Sequence, residues 1–303
     1  MGAVIGVEGI HKRYGSTVAV EDVSFEVGRG EIFGIVGPNG AGKTTTIECL
    51  AGLRRPDRGV VRVLGLDPGS EGRKLRERLG IQLQQAALPE DLKVGEALDL
   101  YASFYKGAPD WRPLLAQWGL EEKRDARFKN LSGGQKQRLF IALSLVNEPE
   151  LVLLDEITTG LDPQARRLTW ELVRGIRDGG TTVVLVTHSM EEAEKLCDRV
   201  AIIDRGRVVA LDSPEALIRG LPTEASVRLG GLDAEAAEAL RPLAGVSRVE
   251  SEGDEVVVYG GGPLLVRVVV ELDRHGITPS DVGIGKPTLE DVFLEKTGKK
   301  IRD

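Results

Sequence analysis

Gly37-Pro38-Asn39-Gly40-Ala41-Gly42-Lys43-Thr44 fits the spacing G-x-x-x-x-G-K-[ST], after the apolar run Ile32 to Val36 and before a helix-like stretch. Glycines at these positions let the backbone curl so that its N–H groups converge on phosphate oxygens. They do so at a helix N-terminus, which itself favours an anion. Lys43 would reach the β- and γ-phosphates, and the Thr44 hydroxyl would ligate Mg²⁺. Further along, Leu151-Val152-Leu153-Leu154-Asp155-Glu156 is an apolar strand that ends in two acids. Asp155 suits the Mg²⁺ shell, and Glu156 is placed to polarise or deprotonate an attacking water. Such a pair could merely cap the next helix, but only the catalytic reading uses the phosphate loop as well. Between the two lies Leu131-Ser132-Gly133-Gly134-Gln135, followed by an amphipathic run from Lys136 to about Val146. Ser132 and the glycine amides make a second anion site at a helix N-terminus. A cap alone would need the serine but not two glycines.

The elements that must hold these groups follow an α/β rhythm up to about residue 215. Val18 to Val27 alternates apolar and polar residues. Ile32 to Val36, Leu151 to Leu154, Val183 to Val186 and Val200 to Ile203 are short apolar runs of the kind that buried parallel strands show. Pro163 marks a first helical position, and Gly179–Gly180 closes that helix. From about Leu221 the texture changes. Strands are expected at Val227 to Leu229, Val246 to Val249, Glu255 to Tyr259 and Val282 to Ile284. Helices are expected at Asp233 to Leu243 and Leu264 to His275, with a closing helix at Leu289 to Thr297. That order, β-α-β-β-α-β before the last helix, is a split βαβ pattern.

Composition narrows the function classes. The 303 residues are 41% hydrophobic, enough for a sizeable core, and 40 Lys+Arg against 47 Asp+Glu give a net charge of −7. A mild acidic excess argues against a nucleic-acid binder working by bulk charge. Cys49 and Cys197 are too few and too far apart for a disulfide framework or a CxxC metal site, and read as small buried apolar residues. His11 and His275 read as ordinary surface residues. The start, MGAVIGVEGIHKRYG, lacks the pattern of a signal peptide, and no apolar run approaches about 18 residues. The expected location is therefore the cytoplasm.

A phosphate loop, LSGGQ and an apolar-Asp-Glu strand in this order resemble the nucleotide-binding domain of an ABC ATPase, over about Val4 to Ala216. The resemblance implies a P-loop ABC ATPase domain with a mixed sheet core, an antiparallel β subdomain and a helical subdomain. The tail is then a small C-terminal α+β ferredoxin-like domain, with 1–220 as the ATPase domain and 221–303 as the accessory one. ATP and Mg²⁺ are the implied cofactors. Residues Gly37 to Thr44, with Thr45, would bind ATP in one chain. Ser132, Gly133, Gly134 and Gln135 would face the γ-phosphate held by a second chain. Tyr14 resembles the aromatic that stacks on adenine. Gln84 resembles the glutamine that touches Mg²⁺ and the attacking water, with Gln85 as a rival; Leu83 stands where the family often has proline. Leu161-Asp162 resembles the loop that crosses the dimer interface, although Ile157 replaces a usual proline. His188 resembles the switch histidine that hydrogen-bonds the γ-phosphate.

Lys286 to Gly298 resembles an ending frequent in ATPase subunits of bacterial drug- and antibiotic-export ABC transporters. The implied function is ATP hydrolysis that powers transport, in the export direction, through a separate integral-membrane permease subunit. The chain would sit on the inner face of the membrane, as an ATP-dependent homodimer or paired with a related ATPase subunit, and bind no nucleic acid. The alternatives are weaker. A DNA-repair ATPase of this family inserts a long coiled coil between phosphate loop and LSGGQ, whereas here about 90 residues without sustained heptads intervene. Translation-associated members carry two nucleotide-binding halves, and this chain has one copy of each motif. A regulatory module without turnover conflicts with intact Lys43, Asp155, Glu156 and His188.

Overall fold

The strands that carry the motifs are buried along their whole length. In the computed structural model, which describes residues 2–84, 87–221, 225–232, 234–253 and 255–298, every residue of β3 (Ile32–Val36) is buried, given β1 (Ile5–Tyr14) and β2 (Thr17–Val27) before it. The later strands are β4 (Arg58–Val63), β5 (Leu79–Gln82), β6 (Leu151–Asp155), β7 (Thr182–Thr187), β8 (Arg199–Asp204) and β9 (Arg207–Asp212). They form one nine-stranded sheet in the order β4-β1-β2-β9-β8-β3-β7-β6-β5. The pairs β3–β7, β3–β8, β6–β7 and β5–β6 are parallel, whereas β1 pairs antiparallel with β2 and β4, and β9 antiparallel with β8. The sheet is mixed. Continuous apolar runs suit its parallel part, which is covered on both faces, and the period-2 pattern of β2 places Val23, Phe25 and Val27 inward. Phe25 stacks on Phe33 with ring centroids 5.2 Å apart.

The intervening helices are α1 (Lys43–Leu50), α2 (Gly72–Arg76), α3 (Val94–Ala102), α4 (Arg112–Gln117), α5 (Gly133–Ser144), α6 (Pro163–Asp178), α7 (Met190–Leu196) and α8 (Pro214–Arg219). As Pro163 and Gly179 suggest, α6 starts at the proline and ends before the glycine, and Asp162 caps it by accepting from the Gln164 and Ala165 N–H groups. Thr169, Trp170, Val173 and Ile176 form its buried stripe. The helix expected from Lys136 starts earlier, at Gly133, because Ser132 is its cap and the two glycines are its first turn.

The described chain divides into two compact units, the first made up chiefly of residues up to Leu217 and the second of Ile218–Glu295. The second unit contains β10 (Ala225–Gly230), α9 (Ala234–Leu240), β11 (Val246–Glu252), β12 (Glu255–Gly260), α10 (Leu264–Arg274) and β13 (Asp281–Gly285), before the closing α11 (Leu289–Thr297). Its antiparallel sheet has the order β11-β12-β10-β13. Val227, Leu229, Val256 and Val258 from the sheet pack with Leu240 of α9 and Val268 and Leu272 of α10. The helix expected over Asp233 to Leu243 ends at Leu240. Pro242 supplies no N–H and disfavours helical geometry at Arg241, while Asp233 lies outside the described residues.

Candidate active site

The chemistry gathers at the carboxyl ends of parallel strands, where open α/β sheets bind ligands. The phosphate loop follows β3, Gln84 follows β5, Asp155 ends β6, and His188 follows β7. Two glycines of the loop are dictated by space. A Cβ on Gly37 would lie 2.1 Å from the Ile203 carbonyl oxygen, and one on Gly42 2.4 Å from that of Ala19. Gly42 also adopts φ 103°, at the start of α1. No side chain caps α1 and no acid sits in its first turn, so its leading N–H groups face an anion without internal competition. Asn39, Gly40 and Thr44 are exposed, Pro38 and Thr45 half-buried, and Ala41 buried.

Lys43 is buried and donates from Nζ to the carbonyl oxygens of Gly37 (2.8 Å) and Pro38 (3.0 Å), inside its own loop. Burial lowers its pKa, and the charges of Glu156 and Asp155 oppose that shift. Asp155 is 1% exposed, and neither carboxylate oxygen has a hydrogen-bond partner of full geometry among the described residues. Burial, then the Glu156 charge, push its pKa up to about 6, while Lys43 and the nearby Gln84 amide pull it down. A buried carboxylate at a strand end, together with the exposed Thr44 hydroxyl at the start of α1, has the oxygen-donor chemistry for a hard cation such as Mg²⁺.

Glu156 turns the chain sharply, with φ 53°, a left-handed conformation that few non-glycine residues adopt and that clusters at functional sites. Its N–H donates to the Val186 carbonyl (2.9 Å), which ties it to β7. Its Oε2 accepts from the Thr159 hydroxyl (2.9 Å) and lies 2.6 Å from His188 Nδ1. That last contact is close in distance, although its angles are not those of a hydrogen bond. The structure thus brings together two residues that the sequence reading named separately, Glu156 for the attacking water and His188, by resemblance, for the γ-phosphate. Tyr14 ends β1, is exposed, and has Lys12 Nζ and the Arg54 guanidinium each 5.8 Å from its ring centroid. Gln84 is exposed, and Gln85 lies outside the described residues.

Ser132 and Gln135 form a reciprocal cap: the Ser132 N–H donates to Gln135 Oε1 (2.9 Å), and the Gln135 N–H to the Ser132 hydroxyl (3.3 Å). Gln135 is therefore engaged at the helix start. Gly133 has open space over its Cα, whereas a Cβ on Gly134 would meet Ala165 at 3.3 Å. Ser132, Gly133 and Gly134 line a cleft of about 300 Å³ with Gly160, Leu161 and Asp162, and none of residues 37–45 lines it. The LSGGQ end of α5 and the Leu161-Asp162 loop share a surface, and α5 packs beside β5 at the sheet edge, away from β3 in the interior.

One residue escaped the sequence reading. Glu192 is fully buried on α7, where its Oε1 accepts from Trp170 Nε1 (3.1 Å). The run Met190-Glu191-Glu192-Ala193-Glu194-Lys195 looks like a solvated helix face. The available signal is periodic: Glu192 shares the inward stripe of α7 with Met190, Ala193 and Leu196.

Residues 20–159 match the family model described as ABC transporter. The chain is 40% identical over 310 residues to a protein of Ralstonia nicotianae named Nod factor export ATP-binding protein I, covering 99% of this chain and 95% of that protein. A protein of the same name from Rhizobium sp. (strain N33) is 39% identical over 303 residues, with 98% of both chains covered. Among solved structures, one titled as the ATP binding subunit of an ABC transporter superposes with TM-score 0.65 at 31% identity, over 71% of this chain and 92% of that one. A dimeric ATP-binding cassette in a post-hydrolysis state, bound to ADP and Pi, superposes with TM-score 0.63 at 28% identity, over 69% of this chain and 98% of that one.

Proposed function

The chain belongs to the ABC transporter family as an ATP-binding, ATP-hydrolysing subunit, and from that membership we propose how its residues bind and hydrolyse ATP to drive export through a separate membrane-spanning partner. The observation that carries the reading is the buried carboxylate of Asp155, set beside Lys43 and the Glu156–His188 contact at the ends of β3, β6 and β7. In this reading the amides of Gly37 to Thr45 and the N-terminus of α1 hold the phosphates. Lys43 leaves the Gly37 and Pro38 carbonyls to meet the β- and γ-phosphates, and Tyr14 stacks on the base. Thr44, Asp155 and Gln84 would hold Mg²⁺, which when bound neutralises phosphate charge. Glu156 takes the proton of the attacking water, and His188 orients Glu156 and donates toward the γ-phosphate. Ser132 to Gln135 of a second chain close the site.

Residues 1–220 form the ATPase domain and 221–303 an accessory domain. In this reading the membrane passage belongs to a partner chain, with this subunit peripheral on the inner face; among the described residues no helix is long and apolar enough to cross a membrane. The export direction follows the names of the relatives. The test is Glu156→Gln, which keeps ATP binding and lowers hydrolysis by about 10² to 10⁴, the usual worth of a general base. Hydrolysis at the wild-type rate in this variant would remove Glu156 from the role.

A further inference from the structure

We propose that Glu192 is a positioning residue for ATP hydrolysis: its buried carboxyl ties the loop after Glu156, the strand end before His188 and the helix begun by Asp162 into one unit, and so fixes the Glu156–His188 contact. The proposal rests on the roles given above to Glu156 and His188.

The local geometry frees this side chain for the task. Ser189 caps α7 and accepts from the Glu192 N–H (3.2 Å). A glutamate at this third helical position ordinarily reaches back to the N–H of the cap residue. Here the Ser189 N–H is already taken by the Thr187 hydroxyl (3.0 Å), so the Glu192 side chain turns inward instead. There it accepts from Trp170 on α6 and meets the hydroxyls of Thr187 and Thr158. Thr187 immediately precedes His188, and Thr158 follows Glu156 by two residues. Trp170 stands on the helix whose cap, Asp162, belongs to the loop lining the LSGGQ cleft. One fully buried carboxyl therefore joins the two residues at the reacting centre to the surface expected to meet a second chain.

Its environment disfavours the ionised form of the carboxyl. Burial raises its pKa, the Glu156 charge raises it further, and the two hydroxyls and the Trp170 N–H offset part of the rise. Oε2 has no hydrogen-bond partner of full geometry among the described residues. A neutral amide can replace such a group; an apolar side chain cannot. Burial alone would ask for leucine at this position, as at Leu196 on the same stripe.

The test uses the full-length protein with Mg-ATP. Glu192→Gln should hydrolyse within about threefold of wild type, and Glu192→Leu should lose about 10- to 100-fold in kcat with KM for ATP unchanged, as removal of an orienting partner does. The Trp170 indole N–H resonance provides a readout without turnover. It should shift on Mg-ATP addition in the wild type and in Glu192→Gln, and stay fixed in Glu192→Leu. If Glu192→Leu does not fold, Glu192→Asp, one methylene short of Trp170, should show the same split. A folded Glu192→Leu with wild-type kcat, or a Glu192→Gln as impaired as the leucine variant, would overturn the proposal. Glu156→Gln is run alongside. If it loses hydrolysis while the Glu192 variants do not, only this inference falls; if it hydrolyses normally, the site reading falls as well.

Discussion

Asp155 shows that the site is built at a cost to the fold. A carboxyl whose pKa rises from 3.8 to about 6 on folding destabilises the native state once it ionises. The penalty is absent below the unfolded value, grows as pH climbs from about 4 to about 6, and is complete above, at about 3 kcal/mol. Asp155→Asn removes that charge but buries an amide, which costs about 1–2 kcal/mol of its own without partners. In nucleotide-free, metal-free protein the variant should therefore melt above wild type at pH 8, and the order should reverse toward pH 4, where the ionisation penalty is gone and the cost of the amide remains. It should also lose the stabilisation that Mg²⁺ adds to ATP. A variant that melts below wild type at pH 8 would mean that neighbours stabilise Asp155 as a carboxylate by more than its burial disfavours it. Lys43 belongs to the same scale: Lys43→Ala should weaken ATP binding itself, measured by equilibrium titration, because the removed charge interacts with ground-state phosphates.

At the scale of elements, Ser132 is a helix cap and, in the proposed composite site, also a nucleotide contact, and the two roles separate by substitution. Ser132→Ala should cost about 1 kcal/mol in urea unfolding, the usual worth of a lost cap. Ser132→Arg should leave ATP binding at the phosphate loop of its own chain intact while blocking closure against a second chain. The phosphate loop was legible in the sequence because close backbone approaches at Gly37 and Gly42 leave glycine as the residue that fits. The parallel strands were legible because burial on both faces makes them continuously apolar, as in β3, β6 and β7. Strand β1 escaped because Gly9, at φ 54°, and shifts in register with β2 break its alternation. Glu192 escaped for a different reason. Its inward turn depends on Thr187 occupying the Ser189 N–H, a contact between side chain and backbone that no residue pattern announces. The start of α5 was misplaced because glycine has low helix propensity, which the Ser132–Gln135 cap outweighs.

For the whole molecule, the separation of motifs is the main constraint. The phosphate loop, Asp155, Glu156 and His188 share the strand ends, whereas LSGGQ and Leu161-Asp162 line a cleft to which the phosphate loop does not contribute. In the proposed reading each chain thus presents two different half-sites, which a twofold pair of chains can join. The second unit has a core made of its own side chains, so truncation after Gly220 should leave ATP binding unchanged and alter the protein-concentration dependence of hydrolysis. The most direct test of the composite site mixes two inactive full-length variants before ATP is added. Glu156→Gln keeps an intact LSGGQ surface but lacks the base, and Ser132→Arg keeps the base but presents a blocked surface. Neither should hydrolyse ATP alone. Their mixture should recover hydrolysis, because a mixed dimer contains one site with Glu156 from one chain and Ser132 from the other. Activity of the mixture no greater than the sum of the separate variants would contradict the account.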